Sequence, residues 1–502
     1  MTTMGKVALV GAGPGDEGLL TVRGLELIKK ADCLIYDRLL NVRFLELTKE
    51  NCEKIYVGKE NHNHTMKQDD INELLYKKSK EYELVVRLKG GDPYVFGRGG
   101  EEALFLNTKG VEVEVVPGIS SSVAAAALAG IPLTHRGLSK GFMVITAHNQ
   151  KDAISEIDFS LLTDEDITLV FLMGLSHVGD IAKGLIDAGR RADTPAAVIS
   201  CGTTTNQKKC VGTLDNILEL VQKEKLISPS IIVVGKVVTL SDDLSYFEKR
   251  PLFGRKIFLP KIERFEYSLE NKGGLQASNE LEKGLTENGA EVFSIVSGKI
   301  VPTEIDLTFL NDVHEEDYIV FTSASGVNAF FYNLFEVGGM DARSLPGCKY
   351  AVIGEKTAQA LSRFGIRADE VSIRSTAKDF ARQLCGSAPS GATVYWMCAQ
   401  KHSADFEKEL SPEVNLKKII CYENVAGKAH ISDEYRQKLY ECDATIMTSG
   451  SSARFALRLT NRLPGTVFSI GPACSAVLSE LGVTKVIEAK EASYEGLLDA
   501  IL

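Results

Sequence analysis

The sequence predicts an α/β protein with more than one domain, and three observations carry that prediction. Apolar runs of strand length alternate with helical stretches along the chain, the pattern of βα units. The first run, Lys6-Val-Ala-Leu-Val-Gly11, opens into a glycine turn, Gly11-Ala-Gly-Pro-Gly-Asp16, of the kind that joins a strand to a helix. The second half repeats itself: FTSASGVNAF (321–330) is echoed by MTSGSSARFA (447–456), and AVIGEKTAQALSRFG (351–365) by FSIGPACSAVLSELG (468–482).

Taken in order, the strand-like runs of the first half are KVALVG (6–11), DCLIYD (32–37), ELVVRL (83–88), VEVEVVPG (111–118), FMVITAH (142–148), ITLVFLMG (167–174), AAVIS (196–200) and SIIVVGKVV (230–238). The turn after the first run is not a dinucleotide fingerprint. Asp16 stands where G-x-G-x-x-G requires its third glycine, and Pro14 removes an N–H from a turn that should donate to phosphate. A carboxylate there repels a phosphate, and no G-x-x-x-x-G-K-[ST] occurs, so this βα turn serves something else. ELVVRLKGGDPYVFGRGGEE (83–102) is the richest segment: five glycines fall within residues 90–100, where bare backbone can approach a ligand and Asp92 can accept hydrogen bonds. VVPGISSS (115–122) and AGIPLTHR (129–136) are further turn-to-helix edges. A lone histidine such as His135 is more often structural than catalytic, and no His and carboxylate cluster shows ligand spacing, so no metal is expected.

The texture changes in SDDLSYFEKRPLFGRK (241–256), which mixes charge, Pro251 and Gly254 with little periodicity. The domain boundary is placed there: a first domain over 1–244, a linker over 245–254 and a second domain over 255–502. In the second domain each repeated pair reads as strand, hydroxyl-rich turn, helix, then strand, glycine turn, helix. Two copies are too few for a solenoid and fit two α/β lobes facing each other across a cleft.

Composition bounds the function. At 502 residues, with 44% hydrophobic and 25% charged residues, the chain is of globular type and too long for one core. A net charge of −10 argues against bulk attraction to nucleic acid or an anionic membrane. There is no cationic apolar leader before the first strand and no bilayer-length apolar run, so a cytoplasmic location is expected. Ten cysteines occur without a C-x-x-C pair, which indicates neither a zinc site nor a disulfide framework.

Residues from about 5 to 240 closely resemble the uroporphyrinogen-III C-methyltransferases of the tetrapyrrole methylase superfamily. The resemblance runs in family order through VGAGPGDEGLLTVRG, YDRL, VGK, RLKGGDPYVFGRGGEE, VPGISS, GIPLTHR, FLMG and CGTTTNQ (201–207). It implies S-adenosylmethionine as methyl donor, a group without phosphate, in a pocket made by Pro14, Gly90, Gly91, Asp92, Val95, Ser120, Ser121, Met173 and Gly202. It further implies Asp37 as proton acceptor and Lys59 as proton donor. The substrate implied carries eight carboxylates, so Arg38, Arg98 and Arg136 become candidate clamps. Read without the resemblance, Asp37 is a turn or cap residue, Lys59 a solvated lysine and Met173 core packing.

Residues from about 255 to 502 are similar, more loosely, to uroporphyrinogen-III synthase, through the TSASG/TSGSS and IGEKTAQAL/IGPACSAVL pairs, YENV (422–425) and the terminal SYEGLLDAI. That resemblance implies two lobes joined by two connecting strands, with Tyr422 as proton donor and Ser323, Thr357 and Ser449 at the cleft edge. Together the resemblances imply a bifunctional enzyme, transferase and lyase. It closes hydroxymethylbilane to uroporphyrinogen III and methylates that product twice to precorrin-2, for sirohaem or cobalamin. Small tetrapyrroles are the expected partners, with a homodimer through the methyltransferase part and neither nucleic acid nor membrane. Three alternatives stay open: a methylase acting on a later corrinoid, a nicotinamide-dependent oxidoreductase using GAGPGD, and a scaffold with an inactive second half.

Overall fold

In the computed structural model the described residues are 4–37, 40–49, 51–58, 66–147, 157–270, 272–372, 376–427, 431 and 433–502. The chain divides into two compact units. One comprises 1–256 with 285–293 and 430–439, and the other 257–284, 294–429 and 440–502.

The first unit contains two five-stranded sheets. The first sheet is made of β1 (Lys6–Gly11), β2 (Cys33–Tyr36), β3 (Glu53–Tyr56), β4 (Leu84–Lys89) and β5 (Val113–Val116), in the order β3-β2-β4-β1-β5 with every pairing parallel. Val7, Ala8, Leu9 and Val10 of β1 are wholly buried, as expected of a parallel strand covered on both faces. The second sheet holds β6 (Gly141–Thr146), β7 (Ile167–Leu172), β8 (Pro195–Ser200), β9 (Lys208–Thr213) and β10 (Ser230–Val234), ordered β6-β7-β10-β8-β9. Here β6 and β7 run parallel, while β10 pairs antiparallel with β7 and β8, and β8 with β9.

Two readings of the sequence need correction. The run 230–238 is not one strand: Gly235 has φ of 149°, outside the reach of a strand residue, and Lys236–Leu240 winds into a 3₁₀ turn. Segment 245–254, expected as a linker, is packed, with Phe247 and Leu252 each 3% exposed and the Arg250 guanidinium 4.1 Å over the Phe247 ring. Its lack of periodicity reflects short turns, not exposure. His148, at the end of the run FMVITAH, lies outside the described residues.

The second unit is organised on one long sheet. Its strands are β11 (Lys256–Glu266), β12 (Gly274–Gln276), β13 (Glu291–Pro302), β14 (Tyr318–Phe321), β15 (Lys349–Ile353), β16 (Glu370–Ser372), β17 (Thr393–Ala399), β18 (Asn415–Ala426), β19 (Ala444–Met447), β20 (Thr466–Ser469) and β21 (Val486–Glu488). The order is β16-β15-β14-β17-β18-β13-β11-β19-β20-β21, with β12 on β11. One parallel set, β16-β15-β14-β17, and another, β11-β19-β20-β21, flank the long strands β18 and β13, which pair antiparallel. The repeat is thereby explained. β14 leads to the helix Ala324–Tyr332 and β15 to Glu355–Ser362, as β19 leads to Gly450–Thr460 and β20 to Pro472–Glu480. Lys356, in the first turn of its helix, lies 5.6 Å over the Tyr494 ring, so the carboxyl edges of the two sets face each other.

Candidate functional site

The glycine turns of the first unit converge into one floor. Gly13 and Gly91 exchange backbone hydrogen bonds of 3.2 and 2.8 Å, and Gly13 has φ of 72°, which suits a residue without a side chain. A Cβ on Gly118 would stand 2.1 Å from the Gly91 carbonyl, and one on Gly11 2.4 Å from the Gly118 nitrogen. Asp92 locks the turns together: Oδ1 accepts from Tyr94 N–H at 2.8 Å and Oδ2 from Gly118 N–H at 3.0 Å. Asp16, the residue that breaks the dinucleotide pattern, caps a 3₁₀ turn by accepting from Gly18 N–H at 2.8 Å.

Above this floor lies a cleft enclosing about 660 Å³, part of it open to solvent. It is lined by Pro14, Gly90, Gly91, Asp92, Val95, Ser120, Ser121 and Gly202 of the sequence-derived set. Ser120 caps the helix Ser121–Leu128, accepting from Ser122 N–H. Gly202 sits between Cys201 and Thr203, both at positive φ, and a Cβ on it would meet Ala125 at 2.4 Å. The remaining wall is Ala125, Leu172, Ile199, Pro229, Ser230 and Ile231, which sequence reasoning missed; Leu172, Ile199 and Ile231, for example, are apolar strand residues that carry no local mark of facing a cavity. Met173 is half exposed and does not line this cleft. With Tyr94, Phe96, Arg98 and Thr146 it lines a neighbouring depression. Phe96, Arg98 and Met173 all have φ near +56°, a cost typical of functional positions.

The donor set tests which cofactor fits. Asp92 is the one charged side chain among the cleft's lining residues. A neutral, backbone-rich wall with a single carboxylate suits a sulfonium or ammonium cation and lacks the cations that a pyrophosphate attracts.

Asp37 follows β2. It accepts from Arg87 Nη2 at 3.4 Å. Arg87 and Lys89, both on β4 and nearly inaccessible, also donate to Oε1 of the wholly buried Glu102, at 3.4 and 3.0 Å, and Gln68 donates to the same oxygen at 3.2 Å. Burial, reinforced by the Arg87 charge, pushes the Lys89 ammonium below its ordinary range. This ionic cluster was not visible in the sequence, where RLK and GEE look like solvated charges. Arg98 is half exposed and forms a two-pronged pair with Glu101 at 2.8 and 2.7 Å, while Arg136 is exposed in the turn closed by His135 and Ser139. Lys59 and Arg38 lie outside the described residues.

In the second unit the structure brings Tyr422 and Ser323 together. The Tyr422 phenol is 9% exposed, lies 2.9 Å from the Ser323 Oγ, and is raised above its ordinary value by burial. Ser323 and Ser449 occupy equivalent caps, accepting from Gly326 N–H at 3.2 Å and Ser452 N–H at 3.1 Å. Thr357 is buried in its helix. A second cavity, of about 510 Å³, is lined by Lys261, Arg264, Thr448 and Tyr494 among others. Lys261 is engaged by Asn279 and Glu282, whereas Arg264 is exposed. Among the described residues no three His, Cys, Asp or Glu side chains gather as a metal site, and no helix is long and apolar enough to cross a membrane.

Known protein families match the two halves of the chain separately. Residues 6–218 match the model of the tetrapyrrole (corrin/porphyrin) methylases, and residues 279–499 that of uroporphyrinogen-III synthase HemD. The porphyrin biosynthesis protein HemD of Ruminiclostridium josui is 40% identical over 368 residues, 73% of this chain and 70% of that one. The uroporphyrinogen-III C-methyltransferase of Bacillus subtilis is 48% identical over 245 residues, 49% of this chain and 95% of the relative. A solved structure of uroporphyrin-III C-methyl transferase from Thermus thermophilus, complexed with S-adenyl homocysteine, is 41% identical and covers 47% of this chain and 99% of that one, with a TM-score of 0.41. The chain therefore belongs to the tetrapyrrole methylases through its first half and to the uroporphyrinogen-III synthase family through its second.

Proposed function

We propose that the second half closes hydroxymethylbilane to uroporphyrinogen III and that the first half methylates this product twice, to precorrin-2, with S-adenosylmethionine. The observation that carries the reading is the cleft. Eight of the nine residues inferred to hold the methyl donor line one cavity with a single, negative, charge. When bound there, S-adenosylmethionine supplies an electrophilic methyl group to a pyrrole carbon. The chain's own residues then have two tasks. Asp37, held by Arg87, removes the proton that restores conjugation, and Arg98 and Arg136 clamp substrate carboxylates.

In the second half, loss of the bilane hydroxyl leaves an electrophilic azafulvene, and the fold of the chain around it decides which isomer forms. The buried Tyr422 phenol, kept protonated by burial, assists departure of that hydroxyl from its place beside Ser323. Incubating the protein with hydroxymethylbilane tests both halves at once. The expected product is uroporphyrinogen III without S-adenosylmethionine and precorrin-2 with it. Uroporphyrinogen I alone, or no methyl uptake, defeats the reading for the corresponding half.

A further inference from the structure

The cofactor cleft is held from behind by a segment that contributes nothing to its lining. The turn carrying Gly202 is closed by Gln207, which is 3% exposed and whose side-chain amide is engaged at both its oxygen and its nitrogen. Its Oε1 accepts from Thr203 N–H at 2.7 Å, and its Nε2 donates to Glu248 Oε1 at 2.8 Å. A backbone donor on one side and a carboxylate on the other fix which way the amide points. Thr203 in turn accepts through Oγ1 from Asp16 N–H at 3.4 Å, tying the Gly202 turn to the turn that carries Pro14. The other oxygen of Glu248 accepts from Lys209 Nζ at 3.3 Å and Ser245 Oγ at 3.2 Å.

Lys209 extends the bracing to the opposite wall. It donates to the Ala129 carbonyl at 3.0 Å, at the end of the helix whose other end bears Ser120 and Ser121, and to Ser241 and Ser245 at 3.0 and 3.1 Å. The approach is close: a Cβ on Gly130 would stand 2.6 Å from Ser241 O. Glu248 thus sits where the supports of two cleft walls meet, on the stretch whose sequence reads as a connector.

We propose that Glu248 is a positioning residue of the cofactor cleft, holding the Cys201–Gln207 turn, through Gln207, in the strained form that places Gly202 against the methyl donor. The inference rests on the reading that this cleft binds S-adenosylmethionine. Without the carboxylate, Gln207 loses its partner, and the two positive-φ residues Cys201 and Thr203 have less to hold them against relaxation.

Titration of the full chain with S-adenosylhomocysteine tests it. Glu248→Ala should weaken binding ~10-fold, the effect of one lost charged hydrogen bond. Methylation should show a raised KM for S-adenosylmethionine and little change in kcat. Glu248→Gln, which keeps an acceptor for Gln207, should restore most of the affinity. Glu248→Asp keeps the charge but draws the carboxylate back by one methylene from Gln207 and Lys209 alike, so it should weaken binding several-fold and, compared with Glu248→Gln, decides the matter if the alanine variant does not fold. Parent affinity in the folded alanine or aspartate variant overturns the proposal. Glutamine and alanine variants equally weakened also overturn it, since the effect then runs through Lys209. A parent chain that fails to bind S-adenosylhomocysteine defeats the cofactor reading itself, a different result from variants that bind like the parent.

Discussion

The Asp37 carboxylate is unremarkable as a letter in YDRL and becomes specific only through what holds it. Arg87 cannot be solvated at 3% exposure, so its charge is shared between Asp37 and Glu102, while Lys89 completes a cluster of two cations and two carboxylates. Asp37→Asn keeps the shape and a hydrogen-bonding group but cannot take a proton. It should reduce methylation of uroporphyrinogen III by at least ~10²-fold, within the range of general base catalysis, and leave ring closure at the parent rate when both activities are assayed on one preparation. Tyr422 yields a prediction with a pH signature. Tyr422→Phe should slow ring closure and raise the share of uroporphyrinogen I, measured by isomer analysis, without affecting methylation of added uroporphyrinogen III. The phenol donates only while protonated, and burial raises it above its ordinary value of 10.0. Hence the parent should show little tyrosine-dependent loss of ring closure as pH rises from 7 to 9. A parent-like rate in the folded phenylalanine variant removes Tyr422 from the chemistry.

Among the elements, the glycine turns were legible and the strand walls were not, for a physical reason. A glycine cluster such as Gly90-Gly91 with Gly97, Gly99 and Gly100 announces close backbone approach within a few residues of sequence. Leu172, Ile199 and Ile231 look like any buried strand residue until the packing of β7, β8 and β10 shows which of them border a cavity. The ionic cluster was hidden likewise, because Arg87 and Glu102 sit on a strand and a helix 15 positions apart. The run 230–238 misled because one glycine at an inaccessible φ ends a pattern that is otherwise apolar. Gly118→Ala tests the floor. With 2.1 Å from its Cβ to the Gly91 carbonyl, the turns must separate, and S-adenosylhomocysteine binding by titration should fall at least ~10-fold. Binding at parent strength shows that the floor yields without touching the cleft.

For the molecule as a whole, both family resemblances could be read because their motifs are local, whereas the packing of 245–254 could not, since its buried positions follow no helical or strand period. If each half carries its own chemistry, a ligand of the first should protect only the first. S-adenosylhomocysteine at 100 times its Kd adds about 2.7 kcal/mol to the state that binds it. It should lengthen the half-life of methylation on heating while leaving that of ring closure unchanged, and NAD should protect neither. Equal protection of both activities counts against separate chemistry. The long sheet of the second unit also has a mechanical side. Among the described strands, β13 and β18 form the antiparallel pair that lies between the two parallel sets. A two-stranded ribbon takes a larger twist than a wide sheet. On the proposed reading, the opening that admits an extended bilane and releases a closed ring is widened by a change in the twist of this ribbon.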